Sequence, residues 1–248
     1  QCFDHLDDAA KLEKARAKRA QFLEQAAQYI AHLRPTAVMP FAGRYTLGGR
    51  LASLNPFRGV PELEDVPAEL EPRLKARGVS VSMVLLNAGE WFDVDTGTTS
   101  APFVPPDPVA RVRYIEDVLS KKRFIYEEDR CVDEAEQVDL ASRLEQAHGR
   151  MRTHLHQYGY RSAWRVYLDT GQPDLYGIPF DQGGVERVER GKEREPFVRI
   201  SLDRSLLVMI LNRAAHWNHA AIGSHLRFFR QPDVFERGVY HFLSYLHC

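Results

Sequence analysis

The sequence predicts an α+β protein of two domains, on three observations. A long amphipathic helix is followed by a short apolar strand and a glycine-bearing loop, and a proline-marked segment, SAPFVPPDP, comes at residues 100–108. Beyond these prolines the pattern runs through helices, alternating strands and helices again, which is an α+β order. A chain of 248 residues is long enough for two domains. We therefore expect one domain over residues 1–104 and a second, α+β domain over residues 105–248.

The composition indicates a soluble globular protein. Hydrophobic residues make up 44% and charged residues 27%, and the formal net charge is only -1. Neither nucleic acid nor a membrane is expected as a partner, because there is no excess positive charge and no apolar run of about 20 residues. The N-terminus does not read as a signal peptide, so a cytoplasmic location is expected. The three cysteines are widely spaced, which predicts neither a disulfide framework nor a thiolate zinc site.

The spacing of apolar residues predicts a first helix near the start of the sequence. Asp7 or Asp8 can cap it, and Pro35 follows its end, before a strand at residues 37–39. The chain starts at Gln1 and enters this helix almost at once, from which we expect a fragment of a longer protein. The helix needs a sheet to cover its apolar face. That face holds Leu12, Ala15, Phe22, Ala26, Tyr29, Ile30 and Leu33.

The loop after the first strand, FAGRYTLGGR, is the first candidate site. Ligands of layered α/β proteins collect at the carboxyl ends of strands. Gly43 allows close backbone approach, Arg44 and Arg50 can contact an anion, and Tyr45 can donate a hydrogen bond. We predict these four as substrate-binding. The loop matches neither GxGxxG nor the GK[ST] phosphate loop, and a tight surface turn with solvated arginines is the alternative.

Further elements follow from alternation and periodicity. Residues 79–85 and 91–94, joined by an NAG turn, predict a hairpin. Helices are predicted over residues 109–122 and 133–156. Three antiparallel strands are predicted at residues 164–168, 176–180 and 198–202.

The second candidate site follows an apolar helix at residues 206–215. His216 and His219 are three residues apart and share a helical face, as ligands do in helical metal sites. No Asp, Glu or Cys at matching spacing completes a first shell. Three interpretations stay open: a metal site, contact with a ligand, or hydrogen bonds to buried backbone around a core Trp217. We predict His216, Trp217, Asn218 and His219 as substrate-binding and assign no metal ligand.

The remaining patterns predict no further metal or catalytic site. The cluster DHLDD at the start reads as helix capping rather than a metal motif. No GxSxG elbow is present, so the catalytic residues are unknown. The last helix is expected from about residue 232, with His241 and His247 at its flanks. Its predicted buried residues are Phe235, Val239, Phe242, Leu243 and Leu246.

Four stretches carry a family resemblance: CFDHL, MPFAGRYTLGG, LLNAGEWFDVDTG and HWNHAAIGSHLRFFRQPDVFERGVYHFLSYLHC. They resemble the C-terminal half of metallo-β-lactamase-fold proteins related to the hydroxylases of CMP-N-acetylneuraminate and UDP-N-acetylmuramate. The resemblance covers most of the chain. It implies that the first domain closes an αββα layer and that the second is an appended, sterol-carrier-like α+β domain. The implied activity is that of a metal-dependent hydroxylase (oxygenase) or hydrolase, and the implied substrate is sugar-nucleotide-like.

The chain departs from this family in its metal ligands. The HxHxDH motif is absent, and Pro40, Phe41 and Ala42 stand where many relatives carry a metal-binding histidine. The resemblance therefore implies no metal bound by this chain alone, with iron or zinc in the full-length protein. The implied partners are the missing N-terminal half, a small-molecule substrate and possibly a second copy. The alternative is a non-catalytic α+β ligand-binding or interaction module, with an apolar slot between its sheet and residues 206–215.

Overall fold

The computed structural model describes residues 4, 6–41, 45–181 and 183–247, and these form two compact units. Unit 1 holds residues 7–122, and unit 2 holds residues 123–247 together with Asp4 and Leu6. The domain boundary predicted near residue 104 falls inside unit 1. Both units combine helices with strands, so the predicted α+β class is confirmed. Among the described residues, no helix has the length and apolar character needed to cross a membrane.

Unit 1 is built on two helices that pack against each other. Helix α1 (Asp8–Leu33) begins where the Asp7 carboxylate accepts the backbone N–H of Ala10 at 2.8 Å, and it ends at Arg34 with φ of 47°. Helix α2 (Val66–Lys75) lies against it. Their shared apolar core consists of Leu23, Ala27, Ile30, Val66, Leu70 and Leu74.

A short parallel strand pair joins this helical core. Strand β1 (Ala37–Val38) pairs in parallel with β2 (Ser82–Met83), and Val38 and Met83 pack on the helices. The predicted hairpin is therefore wrong. Strand β3 (Phe92–Asp93) pairs instead with β4 (Thr98–Thr99), because the Asp93 carboxylate accepts two backbone N–H groups of the intervening turn at 2.9 Å.

The end of unit 1 is helix α3 (Pro108–Asp117), capped by the Asp107 carboxylate on Val109 N at 2.9 Å. Arg111 on α3 forms ion pairs with Glu62 at 3.1 Å and Glu64 at 2.5 Å. These pairs tie α3 to the segment before α2. Short 3-10 helices complete the unit at Gly49–Phe57, Leu63–Asp65 and Leu119–Lys121.

Unit 2 begins with a 3-10 turn at Ile125–Glu127, followed by α4 (Asp129–Glu136) and α5 (Leu140–Gln157). One continuous helix was predicted here. The helix breaks because Asp139 caps α5, accepting the backbone N–H of Ser142 at 3.2 Å. The later helices are α6 (Arg204–Leu211), α7 (Trp217–Ile222) and α8 (Arg237–Leu243), and α8 continues into a 3-10 turn at Ser244–Leu246.

Five strands in the described part of unit 2 form one sheet in the order β7-β6-β5-β8-β9. They are β5 (Arg165–Asp169), β6 (Asp174–Pro179), β7 (Glu186–Glu189), β8 (Phe197–Ser201) and β9 (Arg227–Gln231). The three predicted strands are confirmed in position. The antiparallel prediction is wrong for β5 and β8, which run parallel with Val166 opposite Val198. Strand β7 occupies the free edge of β6, so β8 has to cross to the far side of β5.

Helices cover one face of this sheet, and α5, α6 and α8 supply most of the core there. The final helix begins later than predicted, and Phe235 is 60% exposed, although the other four predicted residues are buried. The opposite face carries a smaller cluster around Tyr167, Leu175 and Phe197. The chain before β8 folds onto it, and Arg194 N donates to the Tyr167 hydroxyl at 3.0 Å.

Candidate functional site

The described second half of the glycine loop of unit 1, residues 45–50, is held at Leu47 by a side-chain amide. Asn55 receives the Leu47 N–H on its Oδ1 at 2.9 Å and donates from Nδ2 to the Leu47 carbonyl at 2.9 Å. Gly49 has φ of 53°, in the left-handed region that favours glycine. Gly43 and Arg44 lie outside the described residues. Tyr45 is half-buried, and Arg50 is exposed on a 3-10 turn.

A second set of hydrogen bonds, from Arg58, holds the loop at Tyr45. The Arg58 guanidinium donates to the Tyr45 carbonyl and to Glu62 at 2.7 Å, and its side chain is only 12% exposed. A Cβ at Gly48 would lie 3.2 Å from the Leu119 carbonyl oxygen, so this glycine permits a close backbone approach. Arg58 thus links the Tyr45 backbone to the Glu62 side chain. Of the predicted substrate-binding residues in the described part of this loop, Arg50 is the one exposed to solvent.

The four predicted residues around α7 have different environments. His216 caps the helix, its Nδ1 accepting Asn218 N at 3.1 Å, while the ring of Trp217 lies in the core at 2% exposure. Asn218 and His219 are exposed. The rings of His216 and His219 are 5.2 Å apart between centroids, although His216 is the extended residue before the helix and only His219 lies on it.

A third histidine joins them from the end of the chain. The ring of His247 lies 4.2 Å from that of His216. The sequence identified His247 only as a helix flank, and no periodicity relates it to α7, because the contact is made by tertiary packing.

Besides burial, the charges of two arginines, Arg213 and Arg150, lower the pKa of His247. Arg150 of α5 donates to the Leu246 carbonyl at 3.3 Å, and Arg213 adopts φ of 63° in the turn after α6. The pKa of His247 is lowered by burial and then by the charges of His216, Arg213, Arg150 and His219. We call these five residues the histidine cluster.

His225 does not belong to this cluster. Its Nδ1 lies 2.7 Å from the Tyr126 hydroxyl, and its ring meets the edge of Phe124 at 4.7 Å between centroids. These contacts fix the ring between the aromatic side chains of the turn before α4. In the part of the chain that the structure describes, no group of three His, Cys, Asp or Glu side chains is arranged to hold a metal ion. The described residues therefore do not fit the metal pair of the family resemblance.

A cleft of about 850 Å³ opens at the C-terminal end of α5. Polar side chains line it: Arg152, Thr153, His156, Tyr160, Arg161 and Asp181. Burial, and then the hydrogen bond to Glu236, raise the pKa of Tyr160 to about 12, so its hydroxyl stays protonated at neutral pH. The residue pattern showed no sign of this cleft, since it forms where α5 meets the end of β6.

His148 precedes Gly149, which lines the cleft. It is fully buried, and its Nε2 lies 3.0 Å from the Pro179 carbonyl oxygen. Burial lowers the pKa of this imidazole, so it is neutral and donates from Nε2. The ring thereby ties α5 to the end of β6.

Comparison with known proteins finds no matching family model, no matching curated protein and no matching solved structure.

Proposed function

We propose that this chain is the C-terminal portion of a metal-dependent enzyme of metallo-β-lactamase fold. The reaction is a hydroxylation (oxygenase chemistry) or a hydrolysis, and the substrate class is sugar-nucleotide-like. Unit 1 supplies the closing part of the αββα layer and a substrate rim, and unit 2 is the sterol-carrier-like accessory domain. The iron or zinc ligands come from the N-terminal half of the same protein.

The observation that carries this proposal is the incomplete layering of unit 1. Parallel strands occur almost only in sheets whose two faces are covered, and a two-stranded sheet alone is marginal. Here β1 and β2 form a parallel pair packed against α1 and α2. Three residues of the apolar face predicted for α1 stay exposed, Phe22 at 43%, Tyr29 at 59% and Leu33 at 73%, because the helix buries the neighbouring stripe of Leu23, Ala27 and Ile30. Further strands and helices from the same protein would cover these surfaces.

The loop after β1 supports a rim role. It follows the strand in the chain, and the side chains of Asn55 and Arg58 hold its backbone at Leu47 and Tyr45. A loop fixed in this way presents Tyr45 and Arg50 at little entropic cost. The position suits recognition of an anionic or polar substrate group, with no part in the bond-breaking step.

The alternative of an apolar slot between the sheet and α6 has less support. Leu207 and Ile210 are fully buried, and Leu206, Val208 and Leu211 are each less than 9% exposed within one continuous core. A packed core at this place counts against an apolar ligand there.

Metal analysis tests the proposal directly. The full-length protein, in which the proposal places an upstream HxHxDH motif, and residues 1–248 alone are purified in parallel and their iron and zinc contents are measured. We expect stoichiometric metal in the full-length protein and none above background in the shorter chain. Metal retained by residues 1–248 would refute the assignment of the ligands to the other half.

Substitution of Arg50 tests the rim. In the full-length enzyme, Arg50→Ala is expected to raise KM about tenfold with kcat little changed, because an exposed charge-assisted contact is worth about 1.4 kcal/mol. Arg16→Ala, an exposed arginine of α1, is the matched control. An unchanged KM in the Arg50 variant, or an equal rise in both variants, would remove Arg50 from the site.

A further inference from the structure

Three segments without any acidic residue meet in unit 2. Residues 146–168, 204–232 and 237–247 contain neither Asp nor Glu, although Asp and Glu together number 34 in the chain. The first segment lies largely on α5, the second includes the turn after α6 and helix α7, and the third includes α8 and its 3-10 turn. These segments supply all five residues of the histidine cluster. The fold thus concentrates basic side chains where acidic ones are absent from the sequence.

The donors of the cluster converge. His216 lies between the other two imidazoles, 5.2 Å from His219 and 4.2 Å from His247 between ring centroids. Because Nδ1 of His216 accepts a backbone N–H, the hydrogen of the neutral ring sits on Nε2 and can be donated. His219 and Arg213 are exposed, so a solute can reach the cluster. Imidazole N–H groups and an exposed guanidinium therefore lie in one small, solvent-accessible region of unit 2.

The surrounding charges favour an anion over a metal ion. Arg150, Arg213 and the neighbouring imidazoles all act on His247 in the same direction, each opposing a further positive charge. A divalent cation would be repelled by the two guanidinium groups, and the three segments offer no carboxylate as a ligand. An anion would instead relieve the mutual repulsion.

We propose that the histidine cluster is a binding site for the phosphoryl group of a small phosphate ester. A tetrahedral dianion accepts hydrogen bonds from imidazole and guanidinium donors together, and Arg suits phosphate through its paired N–H groups. The histidine cluster lies within unit 2, and the inference does not depend on the proposed metal chemistry.

Binding should depend on pH through the histidines. The charged and titratable groups acting on His247 are Arg150 from α5, Arg213 from the turn, and His216 and His219 from α7. A bound dianion stabilises the protonated imidazole, so it raises the pKa of His247, and by linkage its affinity increases as the pH falls. His154 of α5 is a further histidine whose NMR signal can be followed. Its ring stacks on that of Tyr245, in the 3-10 turn before His247, at 4.0 Å between centroids.

Sulfate is the probe for this test, because its charge is constant between about pH 8 and about pH 5.5, the range in which histidine titrates. The imidazole signals of residues 1–248 are followed by NMR during sulfate titration at several pH values and at constant ionic strength. We expect saturable shifts at His216, His219 and His247, a raised pKa of His247, and tighter binding at lower pH. A second titration with methyl phosphate, a phosphate monoester, should shift the same signals.

Variants decide between a site and general charge screening. Arg213→Gln and His247→Gln should each weaken sulfate binding about tenfold, the loss of one charge-assisted contact. Arg187→Gln, on the edge strand at the other side of the sheet, should leave it unchanged. Equal weakening in all three, or zinc binding at these histidines without any sulfate response, would overturn the proposal.

Discussion

Replacing Gly238 by alanine is expected to destabilise unit 2 by about 2–3 kcal/mol, although alanine is the better helix former by about 1 kcal/mol. Gly238 lies on α8, directly against the ring of Tyr160. A Cβ at this position would overlap Cε2, Cζ and Oη of that ring. The ring has to move for the new methyl group to fit.

Tyr160 is not free to move at low cost. Its ring stacks on Phe242 at 4.8 Å between centroids, and its hydroxyl donates to the Glu236 carboxylate. A displaced ring loses both contacts, and a hydrogen bond to a charged group is worth about 1.5–3 kcal/mol. The loss therefore exceeds the gain in helix propensity.

The free energy of unfolding is measured in urea by tryptophan fluorescence, in a Trp91→Phe background so that Trp164 and Trp217 report on unit 2. In a Tyr160→Ala background the obstacle is gone, so Gly238→Ala should become neutral or stabilising by up to about 1 kcal/mol. Gly149→Ala on α5 is the matched control, since a Cβ there meets no other atom within 4 Å. If Gly238→Ala destabilises equally in both backgrounds, the steric explanation is wrong.

The second large effect is expected at Asp169, at the end of β5. Its carboxylate accepts two hydrogen bonds from Arg190, at 2.6 and 2.8 Å, one from Gly171 N at 2.9 Å and one from the Ser201 hydroxyl at 3.2 Å. The Asp169 side chain is 7% exposed and that of Arg190 is 44% exposed. Asp169→Asn should cost about 2 kcal/mol, less than a fully buried ion pair because water reaches the guanidinium.

The stability of unit 2 should depend on pH through the lowered pKa of Asp169. Burial alone would raise the pKa of Asp169, but the bonds from Arg190, Gly171 and Ser201 outweigh it and hold the pKa below its usual value. A carboxyl whose pKa is lowered by folding adds stability above its unfolded pKa of about 3.9 and loses it as the pH falls further. The free energies of unfolding of the wild type and of Asp169→Asn should therefore converge below about pH 4.

Urea unfolding from about pH 7 to about pH 3 checks this convergence. Asp174→Asn, at an exposed carboxylate on β6, is the control and should change stability by less than about 0.5 kcal/mol. A wild-type minus variant difference that stays constant across this pH range would show that the Asp169 charge contributes nothing.

Local chemistry accounts for what the sequence predicted correctly. The Asp7 cap, the three alternating strands and the buried Val239, Phe242 and Leu243 depend on neighbours within a few residues, so they are legible in a single sequence. The break before α5 was missed although Asp139 is a local signal, because the apolar period runs on across it.

The candidate sites divide in the same way. The glycine loop and the His216–His219 pair were predicted, since each lies within one short stretch. The addition of His247 and Arg150 to the cluster was not, because these residues come from other elements.

By itself the sequence determined the α+β class, an aspartate cap of the first helix at Asp7 or Asp8, and the absence of acidic residues from three segments. Only the tertiary structure decided that β8 runs parallel to β5, that Tyr160 excludes a side chain at Gly238, and that the basic segments converge on His216. The first group follows from backbone and side-chain preferences within a few residues. The second depends on which distant surfaces pack together, and a hydrophobic pattern states that a surface is buried without stating what covers it.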